Sequence, residues 1–330
     1  MNDITAVVLT IGEETTSRAI ASIEKQTLQP TEIIVIENVS PFHKALNLGA
    51  SKVKTEFFAQ VDSDMILDEN CLEELRKCMT ENVGIAIGQL RDPLLGVTSG
   101  IKMFSKECFE KIRFRNSVSP DTDFYNDMQK HGWKIRYALN LGYKVESNKL
   151  WSTFGEHRPT YTPLYTSSKY YVLGSRYRYR KDLEGFKWCF LGLQNGRDSI
   201  PIIAQIAMAH GIFSEEKTDL LMPSLYTSNE DFNFLEKFLR REDNYDTKEP
   251  HILSLMTSKP KAIFRNFYKL GIDLRGNNSS SGLRDCINIL DKIRNNFSWI
   301  ARVGLCHGIF SEAYNEERVN QEYDKVKELL

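Results

Sequence analysis

Two aspartates at the end of an apolar segment are the residues of this sequence whose type and spacing best suit chemistry. Asp62 and Asp64 follow the apolar segment 57–61, with Ser63 between them. In an open parallel sheet, ligands bind at the carboxyl ends of the strands. Two carboxylates placed there can hold a hard cation such as Mg²⁺ or Mn²⁺, which would neutralise a diphosphate. The alternative interpretation is that both aspartates only terminate a strand.

A second acidic cluster lies further along the chain. Asp121 and Asp123 open a segment, 122–131, that has the pattern of a helix stopping at Gly132. An aspartate at such a position is commonly a helix N-cap. A carboxylate can also take the proton of a hydroxyl that attacks a substrate, so this cluster is a second candidate for chemistry.

The pattern of strand-like and helix-like segments around these residues predicts an α/β domain. Strand-like and helix-like segments alternate from residue 4 to residue 87, and this alternation predicts βαβ units in a mostly parallel sheet with helices on both faces. The predicted strands are 4–11, 32–37, 56–61 and 83–87, and the predicted helices between them are 15–25, 42–52 and 69–79. From about residue 100 to residue 165 the pattern is irregular, apart from the helix over 122–131 and a strand over 134–139.

The second half of the chain predicts a different, predominantly α-helical domain over 166–330, after a first domain over 1–165. Its clearest feature is the segment HGIFSE, which occurs twice at a spacing of 97 residues. The repeat predicts a duplicated helical hairpin in which a helix ends at the histidine, the glycine follows it, and the serine caps the next helix. His210 and His307 are either site residues or, the favoured interpretation, histidines satisfied near a helix C-terminus.

Composition excludes several classes of protein. The chain has 43 Lys and Arg against 44 Asp and Glu, so it lacks the cationic surplus that general nucleic-acid binding needs, and no nucleic-acid partner is expected. Its six cysteines form no CxxC pair, which is typical of reduced thiols that act as small hydrophobes. The N-terminus has no signal-peptide pattern, and the apolar stretch 200–213 is too short to span a bilayer. The expected location is cytoplasmic.

One segment of the second half mixes cations with aromatic residues. Residues 169–188 contain four tyrosines, one tryptophan and several arginines and lysines. A solvated face of a helix between domains is the favoured interpretation, and peripheral contact with the inner face of a membrane is the second. Binding of nucleic acid, of an anionic glycan or of a protein partner are the other interpretations that stay open.

The first half resembles the family 2 glycosyltransferases of the GT-A fold in the order of its motifs. The resemblance extends over about residues 4–145 and is specific only in combination. It is carried by the strand and turn AVVLTIGEE, a helix with Ser22, Gln26 and Pro30, the strand EIIVIENVS, and the segment KALNLGASKVKTEFFAQVDSDMIL with its DxD motif. The cluster at Asp121 and Asp123, with KHGWKI after it, resembles the catalytic helix of the family.

The resemblance implies an inverting transfer of a sugar from a nucleoside-diphosphate sugar to an acceptor hydroxyl, with Mn²⁺ or Mg²⁺ as cofactor. The acceptor would be a glycan or lipid-linked glycan of capsule, lipopolysaccharide or a similar surface polymer. Asp121 falls on the position of the general base, with Asp123 as the substitute. The implied metal ligands are Asp64, Asp62 and His157, since some enzymes that resemble this one add a histidine after the catalytic helix. The implied nucleotide-binding residues are Thr10, Glu13, Glu37, Asp62 and Ser63.

Ordinary structural roles remain open for most of these residues. Glu13 and Glu37 can be solvated carboxylates, and His157 can be a structural histidine. The family's aromatic–Asn pair after the first strand is Ile11-Gly12 here, and its acidic pair after the second strand is Glu37-Asn38. Both departures fall on the pocket for the nucleotide base, so the resemblance leaves the base open. A weaker match places a donor-sugar loop at residues 96–100.

Three other classes of function compete with the glycosyltransferase. A sugar nucleotidyltransferase usually carries a glycine-rich, basic loop after the first strand, whereas TIGEETTSR has one glycine and a distant Arg18. A catalytically inactive scaffold of a glycan assembly complex would not need the DxD motif or Asp121. A DNA-binding regulator would use the HGIFSE hairpins and would bind duplex DNA in a salt-sensitive way.

Overall fold

The computed structural model describes two compact units, Met1–Pro159 and Thr160–Leu330. The residues it describes are 3–116, 120–138, 153–159, 161–193, 199–213, 237–239, 248–293, 297–311 and 313–327. The division between the units lies six residues before the domain boundary that the sequence predicts. The roles assigned to the two predicted domains stay predictions.

The first unit is the α/β domain that the sequence predicts. Its elements are β1 (Ile4–Thr10), α1 (Thr16–Ile23), β2 (Glu32–Glu37), α2 (Phe42–Lys52), β3 (Phe57–Asp62), β4 (Met65–Leu67), α3 (Cys71–Cys78), β5 (Val83–Asp92), β6 (Gly96–Ser105), α4 (Lys106–Lys111), α5 (Pro120–Lys130), β7 (Lys134–Tyr137) and β8 (Gly155–His157).

The described strands form one sheet in the order β2-β1-β3-β6-β5-β8-β4, with β7 also beside β5. β1 runs parallel to β2 and β3, and β5 runs parallel to β7 and β8. β6 is antiparallel to both of its neighbours, and β4 is antiparallel to β8. The mostly parallel sheet is confirmed. Its antiparallel strands are β6, in the middle of the strand order, and β4, at one edge.

The core of this unit lies on both faces of the sheet, as β1 shows. All seven residues of β1 are buried. Ile4, Ala6 and Val8 join the apolar cluster on one face, and Val7 and Leu9 join the cluster on the other. Because successive side chains of a strand point to opposite faces, a continuous apolar strand is what a sheet covered on both sides requires.

The irregular region after residue 95 contains a strand that the sequence did not predict. Residues 96–100, expected as a donor-sugar loop, form the first half of β6 and pair with β5, so that expectation was wrong. The misleading feature is composition, because this half of the strand carries two glycines and polar residues and is largely accessible. Only its second half, from Ile101, is buried and apolar enough to be recognised as a strand.

The second unit is helical in the part that the structure describes, which confirms the predicted class. Its longer helices are α6 (Pro163–Arg180), α7 (Leu183–Gly192), α8 (Ser199–Gly211), α9 (Glu249–Leu255), α10 (Pro260–Gly276), α11 (Ser280–Lys292), α12 (Ser298–Gly308) and α13 (Glu316–Lys327). Within the described ranges, no helix combines the length and apolar character needed to cross a membrane.

The helices of the second unit include two copies of a three-helix arrangement. Residues 163–213 align without a gap with residues 260–310, at the spacing of the HGIFSE repeat. In each copy a residue in the left-handed region, Lys181 (φ 55°) or Asn278 (φ 52°), lies between the first two helices. The next residue, Asp182 or Ser279, accepts a hydrogen bond from a backbone amide three residues later, at 2.9 and 3.2 Å. The duplication therefore extends to the caps and turns.

Glycine allows the first and third helices of each copy to touch through their backbones. A Cβ on Gly211 would lie 2.1 Å from the carbonyl oxygen of Tyr171, and one on Gly308 would lie 2.2 Å from that of Tyr268. Tyr171 and Tyr268 are equivalent residues of the two copies. No side chain fits at such distances, so the glycine of each HGIFSE segment is required for packing.

The two copies meet at what we call the histidine junction, formed by His210, His307, Phe213, Phe310 and Glu322. The ring of Phe213 stacks on His307 with centroids 3.8 Å apart, and that of Phe310 stacks on His210 at 4.3 Å. The Nδ1 atoms of the two histidines are 3.1 Å apart. Each segment thus packs on the other in a reciprocal way, as in a contact with two-fold symmetry.

Two details of the predicted hairpin were wrong. The helices end at Gly211 and Gly308, one residue after the histidines, because the glycine is needed inside the helix packing. Ser311 does not cap the next helix, since its hydroxyl bonds to Tyr268. The cap is Asn315, which accepts a hydrogen bond from the amide of Arg318 at 2.9 Å. The corresponding residues after Phe213 lie outside the described residues.

Candidate active site

The carboxyl ends of three parallel strands bring most of the predicted residues of the first unit to one edge of the sheet. Thr10 at the end of β1 pairs with Glu37 at the end of β2, and Leu9 pairs with Asp62 at the end of β3. Glu37 is exposed and Thr10 is buried. The strand register therefore places a hydroxyl and two carboxylates side by side where a ligand of such a sheet would lie.

Glu13 organises the loop after β1. Its carboxylate accepts hydrogen bonds from the Thr10 hydroxyl and from the amide of Ile11, both at 2.8 Å. Burial acts to raise the pKa of Glu13, but these bonds and one from Ser63 lower it below its ordinary value. Glu13 is thus held against the loop and against the buried Ser63, which fits a structural role for it.

The negative charge of Asp62 is only partly compensated by its neighbours. Its Oδ1 accepts a hydrogen bond from the Gln60 amide at 3.0 Å. Burial and the charge of Asp64 raise the pKa of Asp62 to about 6, although Gln60 and Lys102 act to lower it. A bound cation would stabilise the ionised form of Asp62, because it would offset the repulsion between Asp62 and Asp64.

His157 contacts the second aspartate of the DxD motif. The three-residue strand β8 pairs with β4, so that His157 lies opposite Met65, the residue after Asp64. Its Nε2 is 3.1 Å from Asp64 Oδ2, and its Nδ1 is 2.6 Å from Asp92 Oδ2. The structure therefore brings together His157 and Asp64, which are 93 residues apart in the sequence.

Asp92, at the end of β5, holds the imidazole of His157 in place. Its other oxygen accepts hydrogen bonds from the amides of Leu94 and Leu95, both at 2.8 Å. Burial acts to raise the pKa of Asp92, but His157 and these two amides lower it to about 2. An ionised Asp92 favours the proton on Nδ1 and leaves Nε2 as an electron-pair donor facing Asp64.

The side chains of Asp64 and His157 suit a divalent cation whose remaining coordination positions are filled by a bound small molecule. Asp64 gives a carboxylate oxygen and His157 an imidazole nitrogen, and a carboxylate behind the imidazole is the usual support of a metal-bound histidine. Asp62 does not converge with them as a third ligand, since the described part of the chain contains no group of three or more such side chains arranged to hold a metal. A cavity of about 400 Å³ lies beside His157 and Asp92.

The two aspartates in the first turn of α5 differ in their surroundings. Asp121, in the first turn, has its Oδ1 2.9 Å from Lys102 Nζ, whose side chain is only 10% exposed. Lys102 lies on β6 opposite Gln60, and its amine therefore lies near Asp62 as well. Burial acts to lower the pKa of Lys102, but the negative charges around it raise the pKa above its ordinary value. The structure thus links Asp121 to Asp62, the first aspartate of the DxD motif, through one buried cation. Asp123 is half-buried on the same turn.

Ser22 in α1 and Gln26 just after it fix the chain that follows the DxD motif. Ser22 Oγ accepts a hydrogen bond from the amide of Leu67 at 3.1 Å. Gln26 donates to the carbonyl of Asp68 at 2.8 Å and accepts from the amide of Leu72 at 2.9 Å. These residues therefore act through the backbone of β4 and α3, which sets where Asp64 lies.

Arg158, the residue after His157, contacts the DxD motif through its backbone. Its side chain forms an ion pair with Glu156, and its amide donates to the carbonyl of Asp64 at 2.7 Å. The backbone contact gives Arg158 a part in positioning the metal-ligand candidate.

Lys102 and Asp92 are the residues of this site that the sequence did not reveal. Lys102 is a single cation inside the apolar run IKMF, a pattern that signals a buried, paired charge. Asp92 ends the strand-like segment before Pro93, and an acidic residue at a strand end is the same signal that identified Asp62. Both signals are weak without knowledge of which strands are neighbours.

The chain matches no family model and no curated protein, but it is similar to solved structures. A mannosyltransferase of Pyrobaculum calidifontis, solved with GDP-Man and Mn2+, is 12% identical, with a TM-score of 0.41, over 64% of this chain and 74% of that one. TarS of S. aureus, residues 1–349, is 12% identical with a TM-score of 0.34, over 87% of this chain and 90% of that one. A 4-diphosphocytidyl-2C-methyl-D-erythritol synthase of Anaerococcus prevotii is 8% identical with a TM-score of 0.31, over 45% of this chain and 94% of that one. Likenesses at these TM-scores do not establish a family, so the function is inferred from the site itself.

Proposed function

We propose that the chain is an inverting, divalent-metal-dependent glycosyltransferase that moves a sugar from a nucleoside-diphosphate sugar to an acceptor hydroxyl. The observation that carries the proposal is the chain of contacts Asp64–His157–Asp92, together with Asp62 at the strand ends, whose pKa stays raised despite Gln60 and Lys102. This arrangement is suited to a cation that itself binds a diphosphate. Mn²⁺ fits a mixed oxygen and nitrogen donor set better than Mg²⁺, which prefers oxygen.

In this proposal, Asp64 and His157 would hold the cation, and Asp92 would keep His157 oriented. The bound cation supplies positive charge that stabilises the departing nucleoside diphosphate. Asp62 would contribute through its charge and through the ribose side of the donor. Lys102 adds a second fixed positive charge close to the same carboxylates.

The nucleoside would lie over the ends of β1 and β2. Thr10 and Glu37 are adjacent there, and Glu37 is exposed and able to accept hydrogen bonds from ribose or base. Ile11 is 68% exposed at the same strand end, where it offers an apolar surface to a flat base. Glu13 and Ser63 would support this pocket by fixing the loop after β1.

The acceptor hydroxyl would lose its proton to a carboxylate of α5. Asp121 is the favoured base because Lys102, which also lies near Asp62, holds one of its oxygens. As the acceptor oxygen forms its bond to the anomeric carbon, the bond to the diphosphate breaks, and Asp121 takes the proton. Asp123, on the same helix turn, is the substitute. A surface polysaccharide or its lipid-linked precursor is the proposed acceptor class.

Calorimetric titration tests the donor site. UDP, GDP, CDP and dTDP are each titrated with and without Mn²⁺ into the wild-type chain, the Asp64→Ala variant and an Asp127→Ala control. Asp127 pairs with Arg115 at the surface of the first unit. We expect one nucleotide to bind only with Mn²⁺, and that binding to be lost in Asp64→Ala and kept in Asp127→Ala. Absence of metal-dependent binding for all four would overturn the proposal in favour of a catalytically inactive scaffold.

A further inference from the structure

The duplication in the second unit separates residues that the fold needs from residues that it does not. Equivalent positions of the two copies have the same local structure, with the same turn and the same cap between the first two helices. At Gly211 and Gly308, where the helix packing leaves no room for a side chain, the copies agree. An exposed position at which the copies differ in chemistry is therefore free of that constraint.

The largest such difference lies at the corner between α6 and α7. In the first copy this surface, which we call the docking corner, carries Tyr179, Arg180, Lys181, Trp188 and Leu191. The equivalent residues of the second copy are Gly276, Asn277, Asn278, Asp285 and Asn288. The first copy thus has two aromatic residues, one leucine and two cations where the second has only small, amide and acidic residues.

The docking corner is accessible in the structure. Tyr179 is 60% exposed, Trp188 is 58% exposed and Leu191 is 40% exposed. Trp188 and Leu191 are three residues apart on α7 and so share one face of that helix. Glu184, one turn earlier on that face, has its carboxylate 3.3 Å from Lys187 Nζ, so its charge is partly offset.

We propose that the docking corner binds the surface of an anionic membrane. Tryptophan and tyrosine favour the interface between headgroups and acyl chains, since each has an apolar ring and a polar tip. Leu191 gains from burial in lipid, whereas carbohydrate is bound mainly by flat aromatic faces and hydrogen bonds. Arg180 and Lys181 beside these residues complement anionic headgroups.

The membrane would hold the enzyme where a lipid-linked acceptor lies, so the purpose of the corner rests on the proposed function. The binding itself does not depend on it. If the chain binds vesicles but no nucleotide, membrane binding is supported and the proposed function is contradicted. If it binds a nucleotide but no vesicles, the proposed function is supported and membrane binding is contradicted.

Vesicle sedimentation of the full chain tests the proposal. Vesicles of phosphatidylcholine alone are compared with equimolar phosphatidylcholine and phosphatidylglycerol, at low and high salt. The test variant combines Trp188→Asp with Leu191→Asn, which copies the second copy's residues and is therefore compatible with the fold. The matched control is Leu253→Asn, because Leu253 is a 46% exposed leucine of the same unit outside the docking corner. Circular dichroism and thermal unfolding check that each variant is folded.

We expect salt-sensitive binding to the anionic vesicles, with a loss of at least about tenfold in the double variant and none in Leu253→Asn. Brominated lipid should quench the fluorescence of the wild-type chain, and Trp188→Phe should keep the binding but lose most of that quenching. Equal binding of wild type and double variant would overturn the proposal, and so would absence of binding to both kinds of vesicle. Binding to soluble dextran sulfate without vesicle binding would overturn it too, and would identify an anionic glycan as the occupant.

Discussion

Each unit contains a cluster of ionisable side chains, and the pKa of the carboxylate in each cluster is shifted in the opposite direction. In the histidine junction the protein itself compensates the charge of the buried carboxylate, Glu322, through Arg318. Burial acts to raise the pKa of Glu322, but His307 and Arg318 lower it to about 2. In the candidate active site Asp62 keeps a pKa raised to about 6, because burial and Asp64 outweigh Gln60 and Lys102.

The comparison teaches how a functional cluster can be told from a structural one. Perturbed ionisable groups occur in both, so the perturbation alone does not distinguish them. The two clusters differ in whether the protein's own cations offset the negative charge of the buried carboxylate, so that its pKa is lowered, or leave that pKa raised. Arg318 supplies the cation that Glu322 needs in the histidine junction, whereas the aspartates of the first unit would be stabilised by a further cation, beyond Lys102, that the protein does not itself provide.

The largest expected effect is on turnover. Asp121→Asn should lower the rate of sugar transfer by about a thousandfold, because general-base catalysis contributes roughly that much. Donor binding measured by calorimetry should change by no more than about threefold. Asp123→Asn is the matched variant on the same helix turn. If Asp123→Asn loses the activity and Asp121→Asn keeps it, the two residues exchange roles.

A smaller effect is expected from the packing of the duplicated helices. Gly308→Ala should destabilise the second unit by about 3 kcal/mol, because its Cβ would lie 2.2 Å from a backbone oxygen. Gly276→Ala is the control, since a Cβ there would meet no atom within 4 Å. Urea unfolding followed by circular dichroism measures both. Equal stability of Gly308→Ala and wild type would contradict the packing argument.

Acid should act on the histidine junction with a defined sign. Burial and the charge of His307 lower the pKa of His210 from 6.5 to about 3, so the unfolded chain binds a proton that the folded chain does not. Its contribution to stability is intact above pH 6.5 and is lost as the pH falls towards 3. Glu322, lowered from 4.5 to about 2, acts in the same direction below pH 4.5.

Urea unfolding at about pH 7.5 and about pH 4.5 should therefore show a loss of about 3 kcal/mol for the wild-type chain. The His210→Gln variant should lose less over the same interval, and the loss that remains includes the contribution of His307, whose pKa is also lowered by burial. His251→Gln, at an exposed histidine of α9, should behave like wild type. A pH dependence unchanged by His210→Gln would assign the acid sensitivity to other groups.

The smallest effect is expected from the residue behind the metal-ligand candidate. Asp92→Asn should weaken Mn²⁺ binding, measured in the presence of the nucleotide, by about 10–100-fold, the usual consequence of losing the carboxylate behind a metal-bound histidine. Asp127→Asn serves as the control. An unchanged Mn²⁺ affinity in Asp92→Asn would show that His157 needs no such support.

The sequence by itself determined the elements with strong periodicity. β2 and α2 have the predicted bounds, and β1, β3 and α5 differ from them by one or two residues. The apolar run ending in Asp62 and Asp64 located the centre of the candidate site, because strand ends carry ligands in any sheet of this kind. The repeat HGIFSE indicated the duplication, since identical segments at one spacing pack in equivalent ways.

Only the tertiary structure decided which distant residues join that centre. Lys102 lies near Asp62 because β6 lies antiparallel beside β3, an arrangement that no local pattern in 96–105 indicates. His157 reaches Asp64 through β8, a strand of three residues, which is too short for periodicity to reveal. Asp92 joins them from β5, a neighbour of β8 in the sheet but 65 residues away in the chain. The local sequence determines which residues of a strand are apolar, whereas the pairing of strands depends on the burial of apolar side chains across the whole sheet.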